Sequence, residues 1–159
     1  MSKDVFRFFA PCPRGLEQAL AEELKAIGAQ DLRIRASGVQ FEGDRACGYA
    51  ANLHCRIASR ILRWLGEGRV RRDDDVYRIA RRQDWTGLFS IDKRLRVDLS
   101  ASRARARSLQ YLTLRVKDGI VDDFRDQTSQ RPSIDTQNPD VRVLAHLSED
   151  SLEVYIDWS

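Results

Sequence analysis

Apolar residues recur at spacings of three and four from Leu16 to Ile27 and from Leu109 to Phe124, and at every second position from Leu95 to Leu99, Val141 to Leu147 and Leu152 to Trp158. The first period belongs to an amphipathic helix, the second to a strand with one buried face. From the start, Arg7-Phe-Phe-Ala-Pro11 predicts a short strand ended by Pro11 and Pro13. Gly15 opens a helix that turns Leu16, Leu20, Leu24 and Ile27 inward and Glu17, Glu22 and Glu23 outward, and Gly28 closes it. Leu32-Arg-Ile-Arg-Ala36 alternates, Ser37-Gly38 turns the chain and Val39-Gln-Phe41 returns it, which predicts a hairpin. Asp44 then caps a second helix lined on one side by Tyr49, Ala50, Leu53 and Ile57. Ser59 to Val70, broken by Gly66 and Gly68, predicts a strand leaving the unit. Strand, helix, hairpin, helix, strand is the ferredoxin-like order.

A charged junction follows, Arg69-Val-Arg-Arg72 and then Asp73-Asp-Asp75. It divides the chain into an expected ferredoxin-like subdomain at 1–70 and an α/β subdomain at 71–159, an α+β protein as a whole. The aspartates suit a helix N-terminus, with Val76, Ile79 and Ala80 beginning a short helix. Asp84 to Phe89 reads as a further turn whose Trp85, Leu88 and Phe89 pack inward. Lys93 to Ser100 predicts a strand with Leu95, Val97 and Leu99 on one face. Ser108 caps a helix running to Arg125, whose stripe is Leu109, Leu112, Val116, Ile120 and Phe124. A loop of about fifteen residues, punctuated by Arg131-Pro132 and Asn138-Pro139, is long enough to suggest a function. The last two strands form an antiparallel hairpin about Ser148-Glu-Asp-Ser151, expected in one sheet with 94–100 under the helix 108–125. The end at Ser159, on a strand edge, leads us to expect a piece of a longer protein.

Charge changes this picture more than composition does. Net charge is only +3, but residues 69–125 carry 15 Lys and Arg against 9 Asp and Glu, whereas residues 126–159 carry 2 against 7. Most of the basic residues are arginine, which suits bidentate phosphate contacts and stacking on bases. A basic middle favours a nucleic-acid partner. No apolar run approaches a membrane span and no signal-peptide pattern opens the chain, so a cytoplasmic location is expected. Cys12, Cys47 and Cys55 have neither disulfide-framework nor zinc spacing.

The candidate chemistry lies between the strand at 94–100 and the helix at 108–125. Ala101-Ser-Arg-Ala-Arg-Ala-Arg107 places Arg103, Arg105 and Arg107 at alternate positions, with nothing apolar larger than alanine. It delivers guanidinium groups to a helix N-terminus, which itself favours anions. Ser108, Tyr111, Lys117 and Arg131 extend this candidate RNA-binding set, with Tyr111 offering a ring for stacking. The plain alternative is a solvated arginine-rich loop. No glycine-rich loop follows a strand, His54 and His146 lack catalytic partners, and adjacent Asp122 and Asp123 point apart on a helix. No catalytic or metal site is visible.

Asp84-Trp85, Ser108-Leu-Gln-Tyr111, Val116-Lys-Asp-Gly-Ile-Val-Asp122, Arg131-Pro-Ser-Ile-Asp135 and Pro139-Asp-Val-Arg-Val143 carry a resemblance, joined by Ala10-Pro-Cys-Pro-Arg-Gly-Leu-Glu17, Gly38-Val-Gln-Phe-Glu-Gly43 and Ala58-Ser-Arg-Ile61. The chain resembles the N-terminal part of bacterial large-subunit ribosomal RNA guanine-N2 methyltransferases with a THUMP domain. The resemblance spans nearly all of the chain. It implies a ferredoxin-like subdomain followed by a THUMP subdomain, which together present RNA, ribosomal RNA above all, to a C-terminal methyltransferase domain. It implies S-adenosylmethionine for that missing domain, with no cofactor in this chain. Two alternatives stay open: a THUMP module of a transfer-RNA-modifying enzyme, such as a thiouridine synthase or a deaminase-linked protein, and a ferredoxin-like protein-interaction module with the acidic final hairpin as its docking surface.

Overall fold

The computed structural model describes residues 4–102 and 108–158. Two compact units divide the chain, Met1–Trp64 with Asp157–Ser159, and Leu65–Ile156.

The first unit contains β1 (Phe6–Pro11), α1 (Glu17–Ala26), β2 (Gln30–Arg35), β3 (Gly38–Gly43), α2 (Arg45–His54) and the start of β4 (Leu62–Arg69). The strands stand in the order β2-β3-β1-β4, every pair antiparallel, with Phe8 opposite both Phe41 and Arg63. This is the ferredoxin-like arrangement that the element order predicts. Phe8 stacks on Phe41 at 5.1 Å, and with Ala10, Leu20, Leu24, Val39 and Ala51 it forms a core closed to solvent. Gly28, at φ +94°, ends α1 in the left-handed region that glycine adopts without strain. The Asp44 carboxylate accepts from the Cys47 N–H at 2.8 Å and starts α2 as expected.

α2 presents a different face from the predicted one. Cys47, Gly48 and Ala51 are buried, while Tyr49 and Leu53 are 56% and 79% exposed. The reason is close approach. A Cβ on Gly48 would come within 2.8 Å of the Phe8 ring and of Trp158 Nε1, so small residues bring the helix onto the sheet where larger ones cannot. Trp158 likewise leaves the stripe of the last strand. Its backbone N–H donates to the Ile61 carbonyl at 2.8 Å, and its ring packs 5.8 Å from Phe8 and 5.4 Å from Tyr49.

The second unit contains α3 (Asp74–Arg81), α4 (Trp85–Leu88), β5 (Leu95–Ser102), α5 (Leu109–Thr128), β6 (Val141–Ser148) and β7 (Ser151–Asp157). β5 and β6 run parallel, Val97 opposite Val143, and α5 lies on the crossover that parallel strands require. β6 and β7 form the predicted antiparallel hairpin. Leu112, Val116, Ile120 and Phe124 of α5 are closed to solvent in one core with Leu95, Val143, Leu152 and Val154. Each such side chain contributes about 1.5–3 kcal/mol by leaving water. Leu109, expected in the same stripe, is 42% exposed on the first turn. Trp85 is fully buried, its indole N–H donating to the Ala80 carbonyl at 2.6 Å, and Phe89 packs on Phe124 at 4.9 Å. Asp75 of the aspartate run turns inward and accepts from the N–H groups of Arg71 and Arg72, at 2.8 and 3.0 Å.

The long loop is partly a strap on the sheet. Leu95 N–H donates to the Ser133 carbonyl at 2.8 Å, and Asp135 N–H to the Leu95 carbonyl at 3.0 Å. Among the described residues, no helix is long and apolar enough to cross a membrane.

Candidate nucleic-acid interface

The site is built where β5 hands the chain to α5. β5 runs outward to Ser102, and α5 begins at Leu109 with Ser108 as its cap. Ser108 is extended, and its hydroxyl oxygen accepts from the Tyr111 N–H at 3.2 Å. One hydroxyl satisfies one of the four N–H groups that a helix start leaves without helical partners. The others point out of the helix start along its axis, with the positive end of the helix dipole. Arg103, Arg105 and Arg107, the centre of the candidate set, lie outside the described residues.

Tyr111 is 45% exposed on the first turn, beside the cap. Lys117 is half-buried, six positions further along. Six positions advance a helix by about 600°, so the two side chains leave α5 about 120° apart and do not share a face. Arg131 is exposed, just past the other end of α5, leading into the strap beside Leu95 at the head of β5. The 20-residue helix puts about 30 Å of axis between Ser108 and that end. Of the predicted set, the structure brings together Ser108 and Tyr111.

Arg115, one helical turn beyond Tyr111, is committed elsewhere. It lies over the Tyr77 ring at 4.4 Å and reaches Asp118 at 3.2 Å and Asp74 at 3.5 Å. Tyr77 donates to Asp122 at 2.6 Å and accepts from Arg81 Nη1 at 2.7 Å, and Arg81 also pairs with Asp126. The Asp122 bond, with burial behind it, pushes the Tyr77 phenol above its ordinary range. These groups lock α3 against α5. The sequence carries no signal for this network, because its partners are some forty positions apart and each reads locally as a solvated charge.

His146 and Asp140 are held in structural hydrogen bonds. The nitrogens of His146 on β6 lie 2.8 and 3.1 Å from the hydroxyls of Ser100 and Ser102, and Asp140 takes the Arg94 backbone N–H at 2.9 Å and its Nε at 3.1 Å. Among the described residues, no group of three or more His, Cys, Asp or Glu could hold a metal ion.

Comparison with known proteins accords with this architecture. Residues 7–62 match the model of the RlmL ferredoxin-like domain, and residues 70–157 match the THUMP domain. The ribosomal RNA large subunit methyltransferase K/L of Aeromonas salmonicida is 40% identical over 152 residues, covering 96% of this chain and 21% of the relative. The chain thus spans about a fifth of the length of the curated relatives it matches. Two solved structures share the fold. SMU.472, an inferred methyltransferase complexed with SAH, has a TM-score of 0.84 at 22% identity, over 99% of this chain and 42% of that one. A possible methylase from Clostridium difficile 630 has a TM-score of 0.86 at 16% identity, over 97% and 41%. The chain belongs to the THUMP-domain family, with a ferredoxin-like domain of the RlmL type ahead of its THUMP domain.

Proposed function

We propose that this chain is the RNA-holding N-terminal region of a cytoplasmic, S-adenosylmethionine-dependent ribosomal RNA (guanine-N2) methyltransferase. The observation that carries this is the 40% identity to a ribosomal RNA large subunit methyltransferase across 96% of the chain. In this reading residues 1–70 are the ferredoxin-like subdomain and residues 71–159 the THUMP subdomain. Arg103, Arg105 and Arg107 grip phosphates of a structured ribosomal RNA at the start of α5, where the helix dipole and the N–H groups next to the Ser108 cap add to the attraction. Tyr111 supplies a ring beside them for an unstacked base. Lys117 and Arg131, on another face and at the other end of α5, add field rather than contacts at that point.

The methyl donor belongs to the C-terminal methyltransferase domain of the same parent. This sequence has no glycine-rich loop after a strand that would cradle it. Its part is to hold the RNA so that the target nucleotide meets the catalytic domain at high effective concentration. The test is removal of residues 1–159 from the parent. The shortened enzyme should keep its binding of S-adenosylmethionine and lose most methylation of large-subunit ribosomal RNA, chiefly through a raised KM. Unchanged methylation of that RNA would overturn the proposal.

A further inference from the structure

We infer that the face of the ferredoxin-like sheet turned away from α1 and α2 is a second RNA site, a stacking surface for unpaired bases. It stands on different residues from the arginine connection. α1 and α2 deliver Leu20, Leu24 and Ala51 to a core with Phe8, Val39 and Phe41, so both helices cover the same side of the sheet. Strand residues alternate in direction, and Arg7, Phe9, Arg33, Arg35 and Trp64 therefore project from the other side.

Two features of that side suit RNA. The first is planar. Phe8 faces Arg63 across the β1–β4 pair, which sets Arg7 opposite Trp64, and the Arg7 guanidinium lies over the indole at 4.5 Å from its centre. On the next pair, Pro11 of β1 stands opposite Gly38 of β3, and a Cβ on Gly38 would run into the Phe9 ring. Glycine here lets the phenyl group lie across the neighbouring strand. Arg7, Phe9 and Trp64 are all half-buried, neither closed into the core nor free of it. Flat rings and guanidinium planes on the side of a four-stranded sheet away from its helices are what unpaired bases stack on.

The second is charge. Arg33 and Arg35 are exposed on β2, and Arg14 Nε reaches the Ser37 hydroxyl at 3.4 Å in the turn between β2 and β3. Among the described residues, the carboxylates beside these arginines are Glu42, Asp31, which answers Arg33 at 3.6 Å, and Glu17, which accepts from the Ser37 N–H next to Arg14. An apolar protein partner would have to desolvate these arginines without pairing them, and an acidic peptide would leave the rings unused. A single RNA strand supplies planar groups and phosphates together.

The test is a fluorescence and affinity titration of the full chain with a short single-stranded oligouridylate and, separately, with a blunt RNA duplex. Wild-type tryptophan emission should be quenched by the oligouridylate. Trp64→Leu should abolish that quenching, and Trp64→Leu and Arg7→Gln should each weaken oligouridylate binding on the order of tenfold. Both should leave duplex binding nearly unchanged. Replacing Arg103, Arg105 and Arg107 by Ala should do the reverse, so the two sites fail separately. Circular dichroism checks folding, and the exposed-side change Arg7→Gln keeps the test decisive if Trp64→Leu loosens the sheet. Wild-type oligouridylate affinity in folded Arg7→Gln, or quenching that survives in Trp64→Leu, overturns the inference. So does self-association abolished by Trp64→Leu without any oligouridylate binding, which would make the face a protein contact.

Discussion

A Cβ on Gly119 would sit 2.8 Å from the carbonyl oxygen of Tyr77 and 3.0 Å from the Arg81 nitrogen. α3 and α5 thus meet backbone to backbone at this point, and glycine is there for the space. Alanine would favour the helix by up to about 1 kcal/mol. It would also force the helices apart, an overpacking that costs about 1–3 kcal/mol. We expect Gly119→Ala to destabilise the second unit by on the order of 1 kcal/mol net. Thermal melts followed by circular dichroism measure it; a variant as stable as wild type would mean the helices can shift without loss.

The acid limb of stability should trace to the strap over β5. The Arg94 side chain and backbone N–H hold the Asp140 carboxyl down at about 2, from an ordinary value near 3.8. A lowered folded-state pKa gives stability that is complete above the unfolded value near 4 and lost as pH falls toward 2. Asp140→Asn should flatten the denaturation midpoint across that window and lower it at neutral pH. Some slope should remain from Asp135, whose carboxyl is also held low, by the N–H groups of Asn138 and Gln137. Denaturant midpoints between pH 2 and 5 for both proteins decide this, and identical curves would remove Arg94–Asp140 from the account.

These two contacts show where reading the sequence stops. Leu112, Val116, Ile120 and Phe124 were legible because their spacing is helical and all four reach the core. Asp44 and Ser108 were legible because a cap needs only its own neighbourhood. The apolar period of α2 misled, since what brings that helix down is the absence of a side chain at Gly48, and a pattern of large residues does not register it. Alternation placed Trp158 on the final strand's stripe, but direction alone does not say which core a ring reaches. In the candidate site, Ser108 and Tyr111 came out as neighbours because they are close in sequence. The separation of Lys117 and Arg131 from them follows from helix geometry, which a count of basic residues ignores.

The central claim, that the arginine connection ahead of α5 holds phosphate, has one direct measurement. Binding of the chain to one structured RNA hairpin should be titrated across a salt series, for wild type, for the triple change of Arg103, Arg105 and Arg107 to Ala, and for Lys25→Ala on α1 as a remote charge control. Wild-type log affinity should fall linearly with log salt, at about 0.7–0.9 per phosphate contact. The triple variant, folded by circular dichroism, should bind more weakly at low salt with a slope reduced by about two to three, while Lys25→Ala follows wild type. A triple variant with wild-type affinity and slope would contradict the account and leave the connection a solvated loop.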